Sequence, residues 1–177
     1  MFIFLVHVIC YDLWYYFTHI CSHNVKIYRY HKYHHATRYD ELTYNDAFAG
    51  HMIEYPVQMV GIFIPTIFIE YHLPTILCVY IFVTIRTFLN HDHRYTWLVG
   101  NHHLLHHKYP RYNFGEYWLD KLFRTNYPNK NEYEYDFIYI DYYKIYLFTI
   151  FLINYFLYIF INEYKAYRYT LIYNKMD

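Results

Sequence analysis

The sequence predicts an all-α integral membrane helical bundle of about four apolar helices, with a histidine-rich helical cap on its cytosolic side. Three observations predict it. Hydrophobic residues fill 56% of the 177 positions and gather in three long runs. Most of the 14 histidines fall in the polar stretches between those runs, at regular short spacings. Only four glycines and five prolines interrupt the chain, and neither a Walker A string nor a GxGxxG string occurs. Fifteen Lys and Arg balance fifteen Asp and Glu, so there is no basic surface for nucleic acid. Cys10, Cys21 and Cys78 form no CxxC and leave one thiol over in any pairing, which speaks against a disulfide scaffold.

The first apolar run reaches from Met1 to Thr18. No cationic leader precedes it and no small-residue cleavage site follows, so a spanning helix is expected rather than a removed signal. Eighteen helical residues rise about 27 Å, close to the roughly 30 Å hydrocarbon core. The second run, Pro56 to Leu89, is split by Glu70-Tyr71-His72-Leu73-Pro74. A proline and a carboxylate at its middle predict a hairpin of two short helices, about 15 residues each, spanning or re-entrant. The competing reading is a core hairpin of a soluble protein. Arg86 is expected to snorkel to the interface that holds His91. The third run, Lys144 to Asn162, contains one interior polar residue, Asn154, and predicts a further spanning or interface-lying helix. It sets residues 142–177 apart as a C-terminal helix and polar tail.

A hairpin returns the chain to its starting side, so Cys21–Tyr55 and His91–Asp141 share one face. Those stretches carry Lys26, Arg29, Lys32, Arg38, Lys108, Arg111, Lys121, Arg124 and Lys130. The positive-inside rule makes that face cytosolic.

The histidines on that face are ordered. His19 and His23 form a His-x-x-x-His pair, His31, His34 and His35 a His-x-x-His-His string, and His103, His106 and His107 repeat it, with His91 after the hairpin. At this histidine frequency about 0.09 such strings are expected by chance, and two occur. Residues three or four apart on a helix are surface neighbours, so their imidazoles converge. Neutral imidazole suits Fe, Zn, Cu and Ni. Nine rings exceed the donors one ion takes, which points to two ions sharing the set. Each ligating ring needs its other nitrogen held by a carboxylate or carbonyl, and Asp12, Asp40, Glu41, Asp46, Asp92, Glu116 and Asp120 are at hand. Asp12, two turns before His19 on an apolar helix, is the candidate to support a ligating histidine. His7 reads as a core or lipid-interface residue, and His51 and His72 as interface residues. His93 and His102 adjoin the candidates as supports or substitutes. Trp14, Tyr15, Tyr16 and Phe17 are candidates to line an apolar pocket.

Several strings resemble the fatty acid hydroxylase (sterol desaturase-like) superfamily. They are Asp12-Leu-Trp-Tyr-Tyr-Phe-Thr-His19, the two His-x-x-His-His boxes, Asn90-His91, Asn113-Phe114-Gly115 and Trp118-Leu-Asp-Lys-Leu-Phe-Arg-Thr125. The resemblance covers about residues 5 to 125. It implies an integral membrane oxygenase that hydroxylates or desaturates a sterol or fatty acyl chain with O2, in residues 1–141. It further implies two Fe ions held by His19, His23, His31, His34, His35, His91, His103, His106 and His107, with zinc as the other candidate metal. The expected location is the endoplasmic reticulum membrane, boxes toward the cytosol. No nicotinamide or flavin fingerprint occurs, so electrons are expected from a separate cytochrome b-type donor and its reductase. Two other readings stay open: a non-catalytic membrane zinc protein, and a truncated inactive relative. The second is motivated by the early start, by Ile20 where that family usually carries Arg, and by Arg124 where it commonly carries Gly.

Overall fold

A computed structural model describes residues 2–70, 72–134, 160, 161 and 164. Contacts divide the chain into Met1–Asp141 and Tyr142–Asp177. All regular structure among the described residues is helical. The expected helix Lys144 to Asn162 lies outside the described residues except for Phe160 and Ile161, which are helical and exposed.

Helix α1, Phe2–Ser22, contains no glycine or proline and rises about 31 Å. Phe4, Val8, Tyr11, Asp12, Tyr16 and His19 are buried along it, a spacing of three and four that marks one face. After the single turn α2, Tyr28–His31, two 3-10 turns follow at Tyr39–Glu41 and Tyr44–Phe48. Thr43 and Asp46 cap the second reciprocally. Helix α3, Glu54–Phe63, tightens into a 3-10 turn at Ile64–Ile67, where Pro65 has no N–H to continue the α pattern. Helix α4, Leu73–Asn90, starts with Pro74 in its first turn, and the His72 ring caps it by accepting from the Thr75 amide. The expected hairpin is therefore present, with unequal arms. Short helices α5 (Thr96–Val99), α6 (His102–Lys108) and α7 (Tyr117–Phe123) build the region beyond it.

Side-chain partners fix the directions. Phe4 packs on Phe82, Asp12 pairs with Arg86, and His19 and His91 both reach the histidine region, so α1 and α4 run parallel. The Trp14 Nε1–H donates to the Val57 carbonyl at 2.7 Å and His7 Nδ1–H to that of Ile62 at 2.6 Å, so α3 runs antiparallel to α1. His7 is thus a satisfied core residue. The α1–α3 approach is close: a Cβ on Gly61 would stand 2.8 Å from the Trp14 Cβ. Both α1 and α4 are long and apolar enough to cross a bilayer. Only 39% and 28% of their apolar windows are buried, whereas a soluble core helix is mostly buried. Ile9, Phe17, Leu77, Ile81 and Ile85 face outward.

Arg86 does not reach for an interface. It is buried, pairs with Asp12, and brings its Nε to 3.2 Å from Glu116. Asp12 therefore takes a guanidinium as partner, inside the helix pack.

Beyond the helices, Tyr16, Phe114 and Leu119 form a buried cluster against which Leu13, Ile20 and Trp118 pack, docking α7 on α1. Ile20 serves that apolar contact. Arg124 caps α7 in the left-handed region, φ 57°, where glycine incurs no Cβ penalty.

Candidate metal centre

The ends of α1 and α4, the turns after α2, and helix α6 deliver all nine sequence-predicted histidines to one place. They fall into two groups whose ligand atoms lie within 4.8 Å of one another. His19, His23, His31, His35 and His106 make the first; His34, His91, His103 and His107 make the second. Helical geometry explains the sorting in α6. At about 100° per residue, positions i and i+4 lie about 40° apart, while i+3 falls on the other side of i. Accordingly His103 and His107 enter the second group and His106 the first; the turns that follow His31 sort their box the same way, His31 and His35 into the first group and His34 into the second. The two boxes thus interlock, each lending its middle histidine to the other's group.

In five of the nine rings the other ring nitrogen has a definite partner. Nδ1–H groups donate to backbone carbonyls: His19 to Phe114, His34 to Ala49 at 3.0 Å, His91 to Thr87 at 2.8 Å, and His106 to Tyr112 at 2.7 Å. His31 alone donates Nδ1–H to a carboxylate, that of Glu54. These bonds fix the tautomer, so in the neutral rings each Nε2 carries a lone pair. The Nε2 atoms of His34 and His91 are 3.1 Å apart, and those of His19 and His31 3.0 Å apart. In the second group one lone pair then faces another, with no proton between.

Protonation does not relieve this. Burial pushes His91 down to about 4, and burial with neighbouring rings pushes His23 to about 3 and His35 to about 2. His34, His103, His106 and His107 are also held well below the ordinary histidine value, burial being the main cause. His107 buries both ring nitrogens without a hydrogen-bond partner. Convergent neutral imidazole lone pairs are what a divalent cation takes, and the donor set fits two such ions.

Around this set the supports differ from expectation. Carbonyls hold four of the nine rings, and the one carboxylate that holds a ring, Glu54, is not among those singled out in the sequence. Asp120 acts one step removed: fully buried, it accepts from the His102 ring, the Phe114 and Gly115 amides and the Thr125 hydroxyl. It thereby sets the turn whose Phe114 carbonyl holds His19. His102 belongs to that network and His93 donates to the Tyr39 carbonyl. Asp92 serves Arg94, Asp46 caps a turn, and Asp40 pairs with Arg38 at the surface. Glu54 escapes sequence reasoning, because nothing in its spacing links it to His31.

Two cavities adjoin the second group. One, of about 20 Å3, is bordered by Tyr11, Tyr15, Arg86, Asn90, Glu116 and the rings of His91 and His103. The other, of about 30 Å3, is bordered by Tyr15, Phe48, Glu54, Tyr55, His34 and His91. Of the four aromatics expected to line a pocket, Tyr15 does so on both sides. Trp14 packs on α3, Tyr16 in the α7 cluster, and Phe17 is exposed.

The family model "Fatty acid hydroxylase" matches residues 4–125, which spans α1 through the Arg124 cap. No curated protein and no solved structure matches the chain.

Proposed function

Because the chain belongs to the fatty acid hydroxylase family, whose members are generally oxidoreductases, we propose that residues 1–141 form a membrane lipid oxidase built on a two-iron centre. The observation that carries this reading is the pair of histidine groups, each with its ring nitrogens converging within 4.8 Å. In this reading His19, His23, His31, His35 and His106 hold one ion, and His34, His91, His103 and His107 the other. The outward apolar faces of α1 and α4 support insertion in a bilayer. The histidine end faces the cytosol, by the lysines and arginines flanking it, in the endoplasmic reticulum.

Bound iron supplies the one-electron chemistry toward O2 and an unactivated C–H bond that amino-acid side chains lack. Hydroxylation balances as RH + O2 + 2e− + 2H+ giving ROH + H2O; desaturation forms an alkene and two waters from the same inputs. The electrons come from a separate cytochrome b-type donor and its reductase. The chain's own residues hold the geometry. Carbonyls of Phe114, Ala49, Thr87 and Tyr112 keep each ring's donor nitrogen inward. Tyr15 and Phe48 border the cavity beside the second group. The cavities, at about 20 and 30 Å3, have room for one or two waters or O2. A sterol or acyl chain needs the packing around Phe48 and Tyr55 to part.

The test is to purify the full chain, quantify its metal, and supply lipid, O2 and a reconstituted reductase. About two irons per chain and an oxidised lipid are expected, with turnover abolished by His106→Ala. Absence of metal, or unchanged turnover in that variant, overturns the reading. Two zinc ions with no O2 uptake establishes the non-catalytic alternative.

A further inference from the structure

The two histidine groups differ in three respects that bear on what each ion would do. The first is the donor count, five rings against four. The second is their support. His31, in the first group, is the one ring of the nine whose Nδ1–H donates to a carboxylate among the described residues. Glu54 sits in the first turn of α3, and its second oxygen is buried without a hydrogen-bond partner. Gly50 leaves room for that oxygen: a Cβ there would stand 2.8 Å from it. A carboxylate on the far nitrogen makes imidazole a stronger donor than a carbonyl does. The third is surroundings: His34, His91 and His103 border the two cavities, whereas His23 and His35 of the first group are only half-buried.

We propose that the two ion positions are unequal. The five-histidine position, backed by Glu54, holds its ion tightly, and the four-histidine position is the one a small reactant reaches. Glu54 is the positioning residue that sets the difference, acting through His31. The inference rests on the two-ion reading above and deepens it: it names which ion meets O2. Four ring donors would leave more of a six-coordinate ion open to an external ligand than five would.

Cobalt(II) titrated into the metal-free full chain in detergent, followed by its visible absorption, tests this without any turnover. Two binding steps at least about tenfold apart in affinity are expected. Azide, a small external ligand, should change the spectrum that grows with the second equivalent and leave that of the first. Glu54→Gln keeps an acceptor for His31 but removes the charge. It should weaken the first step about 10- to 100-fold and leave the second unchanged. Two ions binding in a single step, azide responding to the first equivalent, or Glu54→Gln weakening both steps alike overturns the inequality while leaving a two-ion centre. Uptake of no cobalt removes the two-ion reading and this one with it. The wild-type titration and the azide response need no variant, so a Glu54→Gln chain that failed to fold would not shelter the proposal.

Discussion

In the shaft made by α1, α3 and α4, closed by the start of α7, buried charge is settled by ion pairing: one guanidinium, Arg86, answers Asp12 and Glu116. In the cap, nine imidazoles, six buried and three half-buried, are settled collectively, four by backbone carbonyls behind and, as we propose, all by cations in front. The difference teaches where each region is fragile. A shaft charge has no substitute, because removing it strands its partners in a low dielectric. A cap histidine has neighbours of its own kind.

The largest expected effect tests the shaft. Arg86→Met removes the cation shared by two carboxylates and should destabilise the chain by about 3–5 kcal/mol. The read-out is accumulation in membranes and thermal unfolding in detergent. Arg86→Met with Asp12→Asn and Glu116→Gln should recover part of the loss, and no recovery would break the pairing argument. Next comes metal. Zinc at about 100 times its Kd should raise the unfolding free energy of the metal-free chain by about 2.7 kcal/mol per site. His106→Ala should lose most of that gain, whereas a shaft substitution such as Tyr80→Phe should keep it.

A smaller effect concerns pH. His91 is held down to about 4 by burial, against an ordinary 6.5, so between those values the unfolded chain binds the extra proton. Stability of the metal-free chain should then fall as pH falls through that window. This residue alone contributes about 1.4 kcal/mol per pH unit and nothing above 6.5. Its depressed neighbours steepen the slope. Thermal midpoints measured from pH 8 to pH 5 check this, and a flat profile would contradict neutral buried rings. The smallest effect is Arg124→Gly, which relieves the left-handed cap at φ 57°. It should add about 0.5–1 kcal/mol, a rise of a few degrees in Tm.

What can be read from the sequence follows from what sequence encodes. The i, i+3 and i+4 spacings are local, so the convergence of His31, His34 and His35, and of His103, His106 and His107, is legible in the spacing itself. So is the hairpin, since Pro74 and Glu70 must break one helix into two. Its unequal arms are less so, because the 3-10 turn at Pro65 falls within an unbroken apolar run. Asp12 stands out in the sequence as a costly buried carboxylate, but its partner lies 74 residues away on α4. Arg86 near a helix end looks the same whether it turns outward or inward. The carbonyls that hold the rings are invisible in principle, since every residue owns one. Glu54 is hidden for a related reason: its link to His31 is set by how α3 docks on α1.

The parallel course of α1 and α4 brings both C-terminal ends, at Ser22 and Asn90, to the same histidine region. Each such end carries an electrostatic charge equivalent to roughly −0.5 from its unpaired carbonyls. A cage made wholly of imidazole thus rests on two macrodipoles that together approach one negative elementary charge. Peptide orientation, set by folding the hairpin back alongside its partner, favours cations there without an anionic ligand in contact with them. Such compensation cannot be titrated away by acid, as a carboxylate's would be.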